Sequence, residues 1–244
     1  MKIGLISDVH SNLEALHQVL AALKARSVER ILNAGDNVGY SAFPNECVAL
    51  LREEEVEGVM GNYDEAVAGC SDQCGCGYAD SETEKIRSGS LRWTQDHISE
   101  STREWLLALP GELAIECEGK RVFMVHGGNR ALNQFIYPDS TDALSKLAEY
   151  SKADLVIMGH THGQFMLHRE GTTYVNPGAA GKPVDGDTRG CCAVVDVTAA
   201  GFEIEFIRVD YDVEKNISSL LEAGLPEGIA GMLRNAPPLP RPPE

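Results

Sequence analysis

The chain reads as an α/β protein, with parallel strands connected by crossover helices. In the first 60 residues, short apolar runs alternate with amphipathic stretches of helical period, the pattern of a parallel sheet. Between residues 164 and 209, short strand-like runs are bounded by glycine-containing turns, which adds antiparallel strands. The 244 residues are 43% hydrophobic and 24% charged, enough to bury one large core and too apolar for a disordered chain.

Taken in order, Lys2-Ile3-Gly4-Leu5-Ile6 is an apolar strand that stops at Ser7-Asp8-Val9-His10. Leu13, Leu16, Leu20 and Leu23 recur at three- and four-residue steps and predict a helix. A second strand, Ile31-Leu32, runs into Asn33-Ala34-Gly35-Asp36; residues 44–54 read as helix, and residues 56–60 as a strand stopping at Gly61-Asn62. Residues 69–89, rich in Gly, Ser and Cys, read as an inserted surface loop. Ser101 with Glu104 forms a capping-box pattern that opens a helix, ended by Pro110-Gly111. Residues 112–118 and 121–125 flank Gly119-Lys120 as a hairpin. A helix over 142–150 and a buried strand over 155–158 follow. Strands over 164–169, 172–175, 191–197 and 202–209 come next, then a helix over 213–223. Residues 1–235 are expected to form one domain carrying 69–89 as its insert. Residues 236–244 are expected to be an extended proline-rich tail without a core of its own.

Charge narrows the function. Lys and Arg number 21 against 37 Asp and Glu, a net charge of −16. Such a chain repels phosphate backbones and anionic lipid, which argues against general nucleic-acid or membrane-surface binding. An anionic substrate remains compatible if metal ions invert the field locally. No apolar run approaches the roughly 18–20 residues of a membrane span, and the chain enters a strand pattern without a signal-peptide pattern. Seven scattered cysteines, an odd number, fit a reduced setting, so a cytoplasmic location is expected.

Chemistry concentrates where apolar runs end. Five runs lead to Asp8 and His10, to Asp36, to Asn62, to His126, and to His160 and His162. In open α/β sheets ligands bind beyond the carboxyl ends of the strands, so scattered residues can meet there. In Asp8-x-His10 and His160-x-His162, residues two apart in extended backbone point the same way. Each piece alone recurs by chance; seven metal-ligand types, all at strand ends, do not.

Asp8-Val9-His10, Gly35-Asp36, Gly61-Asn62-Tyr63-Asp64, Val125-His126-Gly127 and Gly159-His160-Thr161-His162 stand in the order of the motifs of the calcineurin-like metallophosphoesterase superfamily, which the chain resembles from residue 1 to about 212. Gly35-Asp36-Asn37-Val38-Gly39-Tyr40 and Val175-Asn176-Pro177-Gly178 resemble segments of its YfcE-like bacterial and archaeal group. The resemblance implies a four-layer αββα sandwich with two mixed sheets and a pair of divalent ions. One ion would be held by Asp8, His10, Asp36 and His162, the other by Asp36, Asn62, His126 and His160. Imidazole, carboxylate and amide donors without thiolate suit manganese, iron or zinc. The implied activity is hydrolysis of a small phosphodiester or nucleotide by a hydroxide shared between the ions, with Asp36, Asn62, Tyr63 and Asp64 at the reaction. Asn12 and Asn37 are candidates to donate to substrate phosphate, with helix capping as the plainer role.

Tyr63 stands where many members of the superfamily carry a proton-donating histidine, and Gly39-Tyr40 replaces the Asp-Arg-Gly ending of protein phosphatases. Both argue against a phosphoserine phosphatase. Two other readings keep the same motifs: a dinucleoside-polyphosphate or pyrophosphate hydrolase, and a non-catalytic protein scaffold. Cys70, Cys74 and Cys76 lack common zinc-knuckle spacing and read as a reduced loop beside the site mouth. Cys191 and Cys192 read as strand packing. Trp93 and Trp105 read as anchors of helices to the core.

Overall fold

The computed structural model describes residues 1–75, 81–239 and 241. Its elements in order are β1 (Lys2–Ile6), α1 (Leu13–Lys24), β2 (Arg30–Asn33), α2 (Pro44–Glu53), β3 (Glu57–Gly58), α3 (Asn62–Ala68), α4 (Ser81–His97), α5 (Glu100–Ala108), β4 (Glu112–Cys117), β5 (Lys120–Val125), α6 (Thr141–Ser151), β6 (Leu155–Ile157), β7 (Phe165–Arg169), β8 (Thr172–Asn176), β9 (Gly190–Thr198), β10 (Gly201–Val209), α7 (Val213–Glu222) and α8 (Gly228–Asn235).

They build two mixed five-stranded sheets, ordered β10-β9-β1-β2-β3 and β4-β5-β6-β8-β7. In the first sheet β1, β2 and β3 run parallel, and in the second β5, β6 and β8 do. β9 and β10 extend the first sheet antiparallel; β4 and β7 edge the second in the same way. Period-two alternation explains how β1 serves both faces. Ile3 and Leu5 enter the core between the sheets, with Leu32, Met124, Leu155, Ile157 and Val195. Ile6 points outward to Leu16, Val19 and Leu20 of α1. α6 covers the far face of the second sheet through Leu144 and Leu147. Four layers result, as the motif resemblance implied. A further apolar cluster joins α3, α4, α5, α7 and α8 beside the cleft.

Several local expectations need correction. Residues 69–89 are not loop throughout, because α4 starts at Ser81. The glycine at 89 that suggested a loop instead lets Pro226 approach, where a Cβ would stand 2.7 Å from Pro226 Cγ. Residues 76–80, Cys76 among them, lie outside the described residues. α5 is capped two residues earlier than expected: the Ser99 hydroxyl accepts from Thr102 N at 3.1 Å, while Asn45 Oδ1 fixes Ser99 N at 2.8 Å. The strand expected over 56–60 shrinks to Glu57–Gly58, because Met60 N donates to the Pro110 carbonyl instead of a neighbouring strand. α8 was not foreseen; it buries Ile229, Ala230 and Leu233. Trp93 and Trp105 do anchor helices, Trp93 also donating to Ala223 O at 2.8 Å. Among the described residues no helix is long and apolar enough to cross a membrane.

Candidate active site

All five parallel strands named in the sequence pattern open into one cleft at their carboxyl ends. Asp8 N bonds to Gly35 O, Gly159 N to His126 O, and His126 Nδ1 to Ala34 O, so the loops after β1, β2, β5 and β6 are stitched together across both sheets. Their side chains fall into two groups, Asp8 with His10 and His162, and Asp36 with His126 and His160. Within each group the ligand atoms lie within 4.8 Å of one another. Asn62, at the start of α3, places Oδ1 3.0 Å from His126 Nε2. Asp36 Oδ2 faces both groups, 3.4 Å from His126 Nε2 and 3.8 Å from His10 Nε2.

The ring nitrogens are oriented from behind. Nδ1 of His10, His126 and His162 meets the carbonyls of Val38, Ala34 and Lys182 at 3.2, 2.7 and 2.7 Å. Each ring therefore presents Nε2 to the centre, the arrangement that readies an imidazole for a metal. Ser7 Oγ donates to Asp8 Oδ2 at 2.7 Å, and Tyr63 N donates to Asp36 Oδ1 at 2.7 Å. A Cβ on Gly61 would collide with the Asp36 carboxylate and backbone, so only glycine lets this loop close. Five of the seven side chains sit on backbone of positive φ, Asp8 (53°), His10 (49°), Asp36 (55°), His160 (64°) and His162 (59°). Such conformations cost about 1–3 kcal/mol each and persist where the surroundings enforce them.

Electrostatics separate the residues. Burial opposes charge on Asp8 and Asp36, yet both lie below the ordinary carboxylate range because His162 and His126, respectively, stand beside them. Burial lowers His10 and His160 to about 3. His126 feels the same burial, but the Asp36 carboxylate outweighs it and raises the ring to about 9.

The remaining sequence candidates are placed as follows. The Asn12 side chain caps α1, accepting from Ala15 N at 3.1 Å and donating to Gly181 O at 2.8 Å. Asn37 donates to Asp64 Oδ2 at 2.8 Å and accepts from Asn33 Nδ2 at 2.7 Å. Asp64 also accepts from Gly61 N and Asn37 N, tying the loops of Asp36 and Asn62 together. Burial and neighbouring Asp36 push it up to about 6 against those donors. Tyr63 is buried, edge-on to His10, with its hydroxyl donating to Arg87 O at 3.1 Å. Cys74 reaches the site through its carbonyl, which accepts from Asn62 Nδ2 at 3.0 Å.

Sequence reasoning missed several neighbours. Asn176 donates to Gly159 O and Thr161 Oγ1 and accepts from Gly178 N, which holds the His160–His162 turn. Its signal in the sequence is the Asn176-Pro177-Gly178 turn segment. Phe135 packs on His160, ring centroids 4.1 Å apart. Lys182 and Arg87 are nearly buried cations that line a cleft of about 30 Å³ with His10, Asp36 and His162. A wider groove of about 690 Å³ is lined by Asn62 of the centre together with Glu65, Gln73, Arg130 and Asn133.

Among the described residues, Asp8 Oδ1 and His160 Nε2 are buried without a hydrogen-bond partner. Buried acceptors are rarely left so, and a divalent cation held by carboxylate and imidazole would satisfy both. Two Asp/His groups at the strand ends of a two-sheet α/β sandwich define the metallophosphoesterase class. A family model described as the calcineurin-like phosphoesterase superfamily domain matches residues 1–200. An uncharacterized protein of Methanocaldococcus jannaschii is 32% identical over 249 residues, spanning 95% of this chain and 96% of that one. The crystal structure of a metallophosphoesterase from Sphaerobacter thermophilus aligns with TM-score 0.76 and 30% identity over 97% of this chain and 99% of that one. A hypothetical protein from Pyrococcus horikoshii shares the fold, with TM-score 0.84 and 20% identity over 96% of this chain and 98% of that one. The chain belongs to the calcineurin-like phosphoesterase superfamily and is a phosphoric ester hydrolase.

Proposed function

We propose that the protein is a dinuclear metal-dependent phosphoesterase for a small phosphodiester or nucleotide whose leaving group departs without protonation. The observation that carries this reading is Asp36, whose Oδ2 faces both Asp/His groups. Asp8, His10, His162 and Asp36 would hold one divalent ion; Asp36, Asn62, His126 and His160 would hold the other. Bound there, manganese, iron or zinc supplies positive charge to phosphate oxygens and lowers the pKa of a water.

The chain's own residues complete the pocket. Lys182 and Arg87 bring cationic side chains to the cleft wall of a protein whose net charge is −16, which supports an anionic small molecule over a polynucleotide. The rings of Tyr40, Tyr63 and Phe135 bound the same cleft and would exclude water around a bond reacting there. Tyr63 spends its hydroxyl proton on Arg87 O, and an unperturbed phenol near pKa 10 is a weak proton donor at neutral pH. Nitrophenolate or phosphate leaving groups are stable anions and do not need one.

Metal analysis of the purified protein, with assays before and after chelation, tests the centre; full turnover in metal-free protein would overturn it. A panel of alkyl and aryl phosphoesters assayed against Tyr63→His tests the leaving-group claim. Alkyl esters should gain selectively, and a wild type that prefers sugar phosphates would contradict it.

A further inference from the structure

The described residues of the proline-rich segment, 236–239 and 241, lie against the body of the protein. Ala236, nearly inaccessible to solvent, closes α8 in a left-handed conformation, and its carbonyl accepts from Gly186 N at 2.8 Å. Three residues on, Leu239 forms a wall of the cleft that His10, Asp36 and His162 line. Beyond it Arg241 pairs with Asp139 at 2.6 Å and lies 4.3 Å over the Tyr137 ring. Tyr137 stacks with Phe135, which in turn packs on His160. The described residues thus touch the 186 loop at Ala236, the cleft of the centre at Leu239 and the 135–139 loop at Arg241.

The space left under it is about 30 Å³. On that measure a water needs about 10–15 Å³, so the space takes about two waters, and a phosphoryl group with its ester substituent needs several times more. Prolines at 237 and 238 keep the backbone extended without internal hydrogen bonds, so the segment can swing as a stiff unit about Ala236. The outer anchor is weak by nature: Arg241 and Asp139 are both mostly exposed, and exposed ion pairs contribute little.

We infer that the C-terminal segment is a displaceable strap in which Leu239 occupies the substrate position and Arg241 holds it there, making Leu239 a specificity-determining residue of the site. This rests on the phosphoesterase reading of the cleft. A substrate enters only by displacing Leu239, so apparent affinity is reduced by the fraction of molecules with the strap closed. Esters whose substituents gain enough contact with Tyr40, Tyr63 and Phe135 to displace the leucine are selected over those that do not.

The test compares full-length wild type, Leu239→Ala and Arg241→Ala after loading with manganese. Binding of inorganic phosphate is measured by calorimetry and turnover with bis(p-nitrophenyl) phosphate. Loosening the strap should tighten phosphate binding and raise kcat/KM, each about threefold or more, with metal content unchanged. Arg241 is a surface residue, so its variant stays informative if Leu239→Ala folds poorly. Phosphate binding that is unchanged or weaker in both variants overturns the strap. Absence of both phosphate binding and turnover in all three proteins overturns the phosphoesterase reading itself.

Discussion

The Asp8/His10/His162 half of the candidate centre and the Asp36/His126/His160 half each combine one carboxylate with two imidazoles, yet they stand in different surroundings. In the first half, His10 is buried against Tyr40 and lies 3.2 Å from a second imidazole, His162. Burial, with that neighbour adding to it, lowers the ring to about 3. In the second half, His126 is equally buried but stands 3.4 Å from Asp36 Oδ2 with Ala34 O behind it, and it rises to about 9. Access differs too. His10 and His162 of the first half line the small cleft with Asp36, while Asn62 beside the second half opens to the wide groove. Residue type thus decides that a metal can bind, and the groups behind each ligand decide how many protons must leave first.

Because Asp36 faces both halves, the largest effect is expected there. Asp36→Asn keeps the size of the side chain but removes the shared charge. Turnover should fall by about 10³-fold, the scale of losing a principal electrostatic element of a site. Elemental analysis should show depletion of both ions; loss of one ion alone would show that the halves do not share this residue. Ser7→Ala sharpens the comparison, since Ser7 Oγ donates to Asp8 of the first half. Loss of such a supporting contact costs about 10–100-fold in metal affinity, and competition titrations should place that loss in the Asp8 half. Equal weakening of both sites would break the distinction.

Proton inventory gives the third test. In chelated protein His126 lies above its unfolded value of about 6.5, at about 9. Its contribution to stability is full below pH 6.5 and lost as pH rises toward 9. His10 lies below its unfolded value, at about 3, so burying it costs stability as pH falls from 6.5 toward 3. Metal uptake at pH 7.5 should release about one proton from the His126 half and none from His10, readable as imidazole resonances titrating in NMR. A His126 ring already neutral at pH 7 would overturn the contrast.

Smaller effects are expected outside the halves. Tyr63→Phe removes the bond to Arg87 O, a loss of about 1 kcal/mol in unfolding free energy, while aryl diester turnover stays within a few fold. Cys74→Ser keeps the carbonyl that holds Asn62, and Cys70 is an exposed thiol. Replacing both with serine should leave metal content and turnover nearly unchanged, and loss of metal would make that loop a ligand.

Much of the site could be read along the chain because its residues end strands, and strand ends announce themselves by an apolar run giving way to Gly, Asp, Asn or His. Asp8, Asp36, His126 and His160 all follow that rule. Asn12 and Asn37 carry the same polar signal, and their side chains bond to Ala15 N and to Asp64. The helix at Ser81–His97 was obscured by Gly89, whose reason is the distant Pro226.

Lys182, Arg87 and Phe135 had no comparable signal. Each reaches the cleft from a segment whose local pattern is ordinary, 20 or more residues from any motif on which it acts. The tail shows the limit most plainly. Proline at 237 and 238 dictates an extended backbone through fixed φ and missing donors, and this local rule holds wherever the segment lies. That Leu239 lines one cleft with His10 and His162, with Arg241 on Asp139, depends on packing between segments 77 to more than 200 residues apart in the chain. Local chemistry selects backbone shape and donor type. Which donors share a proton, and which side chain closes the cleft, depends on distances that exist only once both sheets have packed.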